Sequence, residues 1–205
     1  MLKSTHPYLP YKRGIIMKKL LFTLSTLLFL QGCIAGALVG SGAAAGSTLA
    51  NDKRTFSTIT EDEKITYDAN QHLLADNAIA DKAHIVVATY NHRVLLTGQA
   101  PTEELRNKAV QIVSGLPRVQ KVYNQIQIDE PIPAIRRSQD ALITANVKSR
   151  LIATTNVKAS QFKIVTENAT VYIMGISTRE QTNLVVDVVR NSTGVKRIIK
   201  VVEYI

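Results

Sequence analysis

The residues able to do chemistry are few in this chain, and they do not converge on a catalytic set. There is one cysteine, Cys33, so an internal disulfide and any multi-cysteine metal site are excluded. Four histidines, His6, His72, His84 and His92, are scattered along the sequence. His84 and His92 flank one short apolar run, roughly 25 Å apart if it is extended at about 3.3 Å per residue, too far for a shared metal. Glu103 and Glu104 fall where a helix should begin, and acids there complement the helix dipole. Ser177 and Thr178 likewise read as helix caps rather than nucleophiles. No phosphate-binding glycine loop, nucleophile elbow or zinc-protease motif is present. No enzyme, metal or cofactor is expected.

Charge narrows the partners. The formal net charge is +9, but Lys3, Lys12, Arg13, Lys18 and Lys19 all precede Cys33 with no acid among them. Beyond that point 20 basic residues face 16 acidic ones. So mild an excess does not make a nucleic-acid-binding stripe. The early cations belong instead to an address. Met17-Lys18-Lys19 precedes an apolar run from Leu20 to Leu30, the layout of a secretory signal and too short to span a bilayer. Leu30-Gln31-Gly32-Cys33 then resembles a bacterial lipobox. That resemblance implies cleavage before Cys33, a diacylglyceryl group on its thiol and a third acyl chain on its amine. Two or three chains anchor stably where one would not. Ile34 follows the cysteine in place of Asp, which implies the periplasmic leaflet of the outer membrane. Residues 1–16 read as a misassigned upstream extension, 17–32 as the signal peptide, and 33–61 as a flexible tether rich in Gly, Ala and Ser at its start.

The remainder is a repeat. His92-Arg93-Val94-Leu95-Leu96-Thr97-Gly98 corresponds to Ala169-Thr170-Val171-Tyr172-Ile173-Met174-Gly175, and Val119-Gln120-Lys121-Val122 to Val195-Lys196-Arg197-Ile198. In the second copy Ile143, Val147 and Leu151 recur at helical spacing over 138–153. Two short strands meet at Asn168-Ala169, Ser177-Thr178-Arg179-Glu180 reads as a capping box, and a final strand covers 195–204. The first copy places its elements at 62–78, 84–90, 93–98, 102–114 and 119–128. Each unit is therefore α-β-β-α-β, an α+β fold with two helices on one face of a three-stranded mixed sheet. Units at 62–130 and 138–205 are joined by 131–137, stiffened by Pro131 and Pro133.

A strand ending in Gly98 or Gly175, then a helix, then a V-x-x-V strand, resembles the BON domain. Tyr123-Asn124-Gln125-Ile126 and Val165-Thr166-Glu167-Asn168 add to the likeness. A lipobox followed by two such units is similar to the dual BON-domain outer-membrane lipoproteins of Gram-negative bacteria, of the division and envelope-integrity type. Asn91-His92 and Asn168-Ala169 stand where the family often has glycine, and Asn tolerates the left-handed geometry those turns need.

The resemblance implies anionic, phosphatidylglycerol-like phospholipid recognition by the second unit through its first helix. The residues to carry it are Arg136, Arg137, Leu142, Lys148, Arg150 and Lys158. Leu142, Ala145 and Ile152 form an apolar stripe opposite the core-facing one, and apolar residues beside cations suit a membrane interface. The family implies an aromatic residue where Leu142 stands. Two other readings stay open: Leu142 and Ile152 could pack on the first unit, or the paired modules could dock on an outer-membrane assembly or division-site protein.

Overall fold

A computed structural model describes residues 52–205. The upstream extension, signal peptide, Cys33 and most of the expected tether lie outside the described residues. Residues Asn51–Ile205 form one compact unit with its own cores.

The first domain runs α1 (Phe56–Ala75), α2 (Asn77–Lys82), β1 (His84–Tyr90), β2 (Arg93–Ala100), α3 (Glu103–Ser114) and β3 (Lys121–Ile128). The second repeats it as α4 (Ala134–Ala153), β4 (Phe162–Glu167), β5 (Thr170–Ser177), α5 (Arg179–Arg190) and β6 (Arg197–Tyr204). A single turn of 3-10 helix, Ala159–Gln161, leads into β4. In each domain the middle strand, β2 or β5, pairs antiparallel with the strand before it and parallel with the last one. Each unit is thus the α-β-β-α-β fold with a three-stranded mixed sheet.

Helix starts are set by threonine. Thr55, Thr102 and Thr178 each accept a hydrogen bond from the backbone N–H three residues on, satisfying a donor the helix itself leaves open. The second cap is therefore Thr178 with Gln181, not Ser177 with Glu180. Ser177 ends β5 instead, and its hydroxyl donates to the Gln161 side chain at 3.2 Å.

The first helix begins at Phe56, earlier than the apolar spacing from residue 62 suggests. Arg54 explains this. Its guanidinium pairs with Asp52 at 2.9 Å and Asp62 at 2.8 Å and lies 3.8 Å above the Tyr90 ring. Burial alone would lower the Arg54 pKa, but the hydrogen bonds to Asp52 and Asp62 outweigh it and drive it upward. The helix also breaks earlier, at Asp76, whose carboxylate caps α2 at Ile79 and pairs with Lys108 at 2.5 Å. Between the domains, the expected 131–137 linker is shorter, since α4 begins at Ala134.

Both hairpins are two-residue turns with left-handed backbone at both central positions: Asn91 and His92 at φ 52° and 58°, Asn168 and Ala169 at φ 47° and 58°. Two successive positive φ values give the twist that antiparallel neighbours need. A buried carboxylate holds each turn. Asp62 accepts from the Asn91 and His92 backbone N–H groups at 2.8 Å each, and Asp140 does the same for Asn168 and Ala169. A second repeated clasp joins helix to strand: the Thr66 hydroxyl donates to Thr89 at 2.8 Å, and that of Thr144 to Thr166 at 2.7 Å.

Helices cover one face of each sheet. In the first domain Ile65, Ala69 and Leu73 of α1 meet Leu105, Ala109 and Val113 of α3 over Val94 and Leu96. In the second, Val147 and Leu151 meet Val185 and Val189 over Val171 and Ile173. The opposite faces of the two sheets pack on one another through Ala88, Tyr90, Leu95, Tyr172 and Met174. Polar clasps border that third core. The Tyr90 hydroxyl donates to the Gln161 carbonyl at 3.0 Å, and the Gln99 amide to Glu167 at 2.9 Å. Lys163 donates to the Thr89 carbonyl at 3.2 Å, and Asn91 to Glu203 at 3.0 Å. Gln99 also accepts from the Ile132 N–H, pinning the connecting segment.

Candidate functional site

Helix α4 carries the candidate surface. Val147 and Leu151 turn inward, while Leu142 and Ile152 are 71% and 76% exposed. Packing of these two on the first domain is therefore corrected: the domains meet through the back faces of their sheets, and the outward face of α4 is free of that contact. Ile135, also exposed, joins them. At about 100° per residue, Ile135 lies about 20° from Leu142, with Ala145 and Ile152 within about 80° on its other flank. A contiguous apolar stripe thus runs along α4 in solvent. One exposed Leu means little, but an aligned row is a surface seeking an apolar partner.

Cations border the stripe on both sides. By the same rotation Lys148 and Arg137 lie beyond Ile152, with Arg150 and Arg136 on the opposite flank. The six expected residues do not share one spot. Arg150 is held near α5, its guanidinium donating to the Asn191 carbonyl. Arg137 lies within electrostatic reach of Glu167. Lys158 sits past the end of α4, its backbone N–H donating to Gln181. Arg136 and Leu142 do come together, lining one open cleft of about 520 Å³. Arg136, Arg137, Lys148 and Lys158 form no ion pair with any described residue.

Sequence reasoning missed two further cations. Lys196 shares the cleft with Arg136 and Leu142, on a floor that includes Ile143, Ala169 and Gly194. Next to it lies a hollow of about 370 Å³ lined by Arg136, Lys196, Arg197, Asn168 and Thr170. The signal was available in the basic pair Lys196-Arg197 opening the last strand. What was missing was the fold, which brings the start of that strand beside the start of α4. Lys196 is placed by its backbone N–H, which donates to the Ala169 carbonyl at 2.9 Å.

The two histidines fall apart as their spacing implies. His92 is 2.7 Å from Glu61, while His84 lies 3.6 Å from Glu167 at the domain interface. The His92 hydrogen bond, with help from Arg118, holds the Glu61 carboxyl below the ordinary range. Burial pushes Glu167 the other way, against the opposing pull of Gln99 and His84. Among the described residues no helix is long and apolar enough to cross a membrane.

The BON domain family matches residues 61–130 and 139–205, the two units that the sheets define. Outer membrane lipoprotein DolP of Haemophilus influenzae is 34% identical over 189 residues, covering 92% of this chain and 97% of that protein. The 21 kDa hemolysin of Actinobacillus pleuropneumoniae is 36% identical over 154 residues, 75% of this chain and 79% of its own. Among solved structures, CdsD, a structural protein of the type III secretion system of Chlamydia trachomatis, aligns with 69% of this chain and 92% of its own at 9% identity, with a TM-score of 0.30. Two BON matches, each filled by one α-β-β-α-β unit, and near full-length similarity to DolP make this chain a member of the BON-domain family, an outer-membrane lipoprotein carrying two such domains.

Proposed function

We propose that the protein is held by acyl chains on Cys33 at the periplasmic leaflet of the outer membrane, where its second domain lays the outward face of α4 on anionic, phosphatidylglycerol-like phospholipid and so supports envelope integrity. The observation that carries this reading is the exposed row of Ile135, Leu142 and Ile152 flanked by cations that form no ion pair with any described residue. Apolar side chains at such a surface enter the acyl boundary, and each nearby cation adds about 1 kcal/mol against anionic lipid. Leu142 supplies less than an aromatic ring would, because Trp and Tyr favour the interface. The role is one of binding rather than catalysis.

Residues 51–205, without the anchor, test this by flotation with vesicles. Binding is expected to phosphatidylglycerol vesicles and not to phosphatidylcholine, and to weaken between low and physiological salt as charges are screened. Leu142→Asp with Ile152→Asp should abolish it while leaving the fold intact, since neither side chain is in a core. Equal flotation of wild type and this variant would refute the reading. A protein-docking role rests on a different feature, the exposed row of Phe56, Tyr67 and Leu74 along α1. That reading becomes the better account if phosphatidylglycerol vesicles fail to bind.

A further inference from the structure

The two domains are copies, so each serves as a control for what the fold requires of the other. In the first domain, the corner between helix, hairpin and last strand is filled by charge. Glu61 reaches His92 at 2.7 Å and Arg118 at 2.8 Å. The matching corner of the second domain can be aligned residue by residue. Asp62 and Asp140 hold the equivalent turns, so Glu61 corresponds to Gln139 and His92 to Ala169. Arg118 and Gly194 both have positive φ, 68° and 88°, just before the last strand, so these two correspond as well. An acid, a histidine and an arginine are thus replaced by an amide, a methyl and a hydrogen. The space they vacate is the cleft of about 520 Å³, whose lining includes Gln139, Ala169 and Gly194.

Charge changes at the same corner in the opposite sense. Thr58 and Gln120 of the first domain correspond to Arg136 and Lys196 of the second, a gain of two cations, while Lys121 corresponds to Arg197 and the charge there is kept. Gln120 and Lys196 make the same backbone bond, to His92 and Ala169 respectively, at 2.9 Å each, so that position needs no cation to fold. The one carboxylate lining the cleft is Asp140, and both its oxygens are taken by the Asn168 and Ala169 N–H groups. Arg136, Lys196 and Arg197 have no ion-pair partner among the described residues. A corner emptied of its acid, enlarged, lined by Arg136 and Lys196 and joined by Arg197 in the hollow beside it fits a multivalent oxyanion. Because Leu142 and Ile143 form its apolar side, the oxyanion it fits best carries an apolar tail.

We propose that this cleft and the hollow beside it form the headgroup pocket of the second domain, with Arg136 and Lys196, which line both, and Arg197 of the hollow gathering the phosphate of an anionic phospholipid while its acyl chains leave past Leu142. The inference rests on the lipid-surface reading above and deepens it. The apolar stripe of α4 supplies insertion; the cleft supplies choice of headgroup. Asn168 and Thr170, which line the adjoining hollow with the same three cations, stand where glycerol hydroxyls could be met.

The test uses residues 51–205 with vesicles of phosphatidylglycerol or phosphatidylcholine, and soluble glycerol 3-phosphate. Lys196→Glu with Arg197→Glu should weaken binding to phosphatidylglycerol by on the order of a hundredfold, at about tenfold per 1.4 kcal/mol. Lys53→Glu with Lys82→Glu makes the same change in net charge on the other domain and should stay within about twofold of wild type. Gln139→Glu, at an exposed position, restores an acid to the corner without touching a core and should cost about tenfold. It also decides the matter if the double reversal does not fold. If the wild type binds phosphatidylglycerol vesicles but these variants lose no more than the control pair, the headgroup pocket is refuted and the membrane-facing helix stands. If the wild type ignores the vesicles, the membrane reading falls. Shifts of the Asn168 and Thr170 amides by glycerol 3-phosphate would then make the cleft a site for a soluble phosphate, overturning the lipid assignment.

Discussion

Asp140→Ala should destabilise the second domain far more than an ordinary substitution near a helix start. The carboxylate is 5% exposed and accepts two backbone N–H groups at 2.8 Å, and the Ala169 bond is itself buried. Hydrogen bonds to a charged acceptor contribute about 1.5–3 kcal/mol each, and an orphaned buried donor adds its own penalty. The two together give about 4 kcal/mol, a large part of the 5–15 kcal/mol that is typical of a whole domain. The turn adds to the demand on Asp140, since Ala169 sits at φ 58°, a conformation that costs a non-glycine residue about 1 kcal/mol. With a urea dependence of about 2 kcal/mol per molar, the unfolding midpoint of residues 51–205 should fall by about 2 M. Far-ultraviolet circular dichroism through a urea series measures it. Ala169→Gly in the Asp140→Ala background should recover about 1 kcal/mol, because glycine adopts positive φ freely. A midpoint shift under about 0.5 M would refute the argument that this carboxylate holds the hairpin.

Three further expectations follow from other parts of the molecule. Burial raises the Glu167 carboxyl, so the folded state keeps its proton where the unfolded state has lost it, and between the ordinary glutamate value and the raised one stability falls as pH rises. Glu167→Gln should remove that slope and raise the urea midpoint near neutral pH, and parallel pH curves for the two proteins would contradict this. At Gly98, φ is +111° and a Cβ would lie 1.9 Å from the His84 carbonyl oxygen, so Gly98→Ala should cost more than about 3 kcal/mol. Gly115→Ala, whose Cβ would meet nothing closer than 3.6 Å, should stay within about 0.5 kcal/mol in the same melt. Mass spectrometry of membrane-extracted protein should find Cys33 as the first residue and acylated; an unmodified Cys33 or a retained Met17–Gly32 would sink the anchor.

Legibility followed the range over which each feature is encoded. Ile143, Val147 and Leu151 sit on one side of a helix by local periodicity, and the paired Asn-initiated turns lie between strand runs, so element order and repeat could be read directly. The outward face of α4 was readable for the same reason. The contact between domains was not read, though a trace of it exists: Val94-Leu95-Leu96 and Val171-Tyr172-Ile173-Met174 are apolar on both faces, the mark of strands covered on two sides. Asp62 and Asp140 look like ordinary helix acids until the hairpins they hold are brought to them across some thirty residues. Arg54 engages the fold ahead of the first helix only because Asp62 and Tyr90 await it. The cleft was hidden for the deepest reason. Arg136 and Lys196 are sixty residues apart in sequence, and only the parallel pairing of β5 with β6 sets them side by side.

The central claim is that the outward face of α4 meets the acyl boundary of an anionic membrane. The chain has no tryptophan, so Leu142→Trp places a single indole on that face, at a side chain 71% exposed. With phosphatidylglycerol vesicles its emission should shift to the blue and be quenched by lipids brominated along their acyl chains, with no change on phosphatidylcholine. An indole whose emission stays that of a water-exposed tryptophan, unquenched at saturating phosphatidylglycerol, would contradict the account.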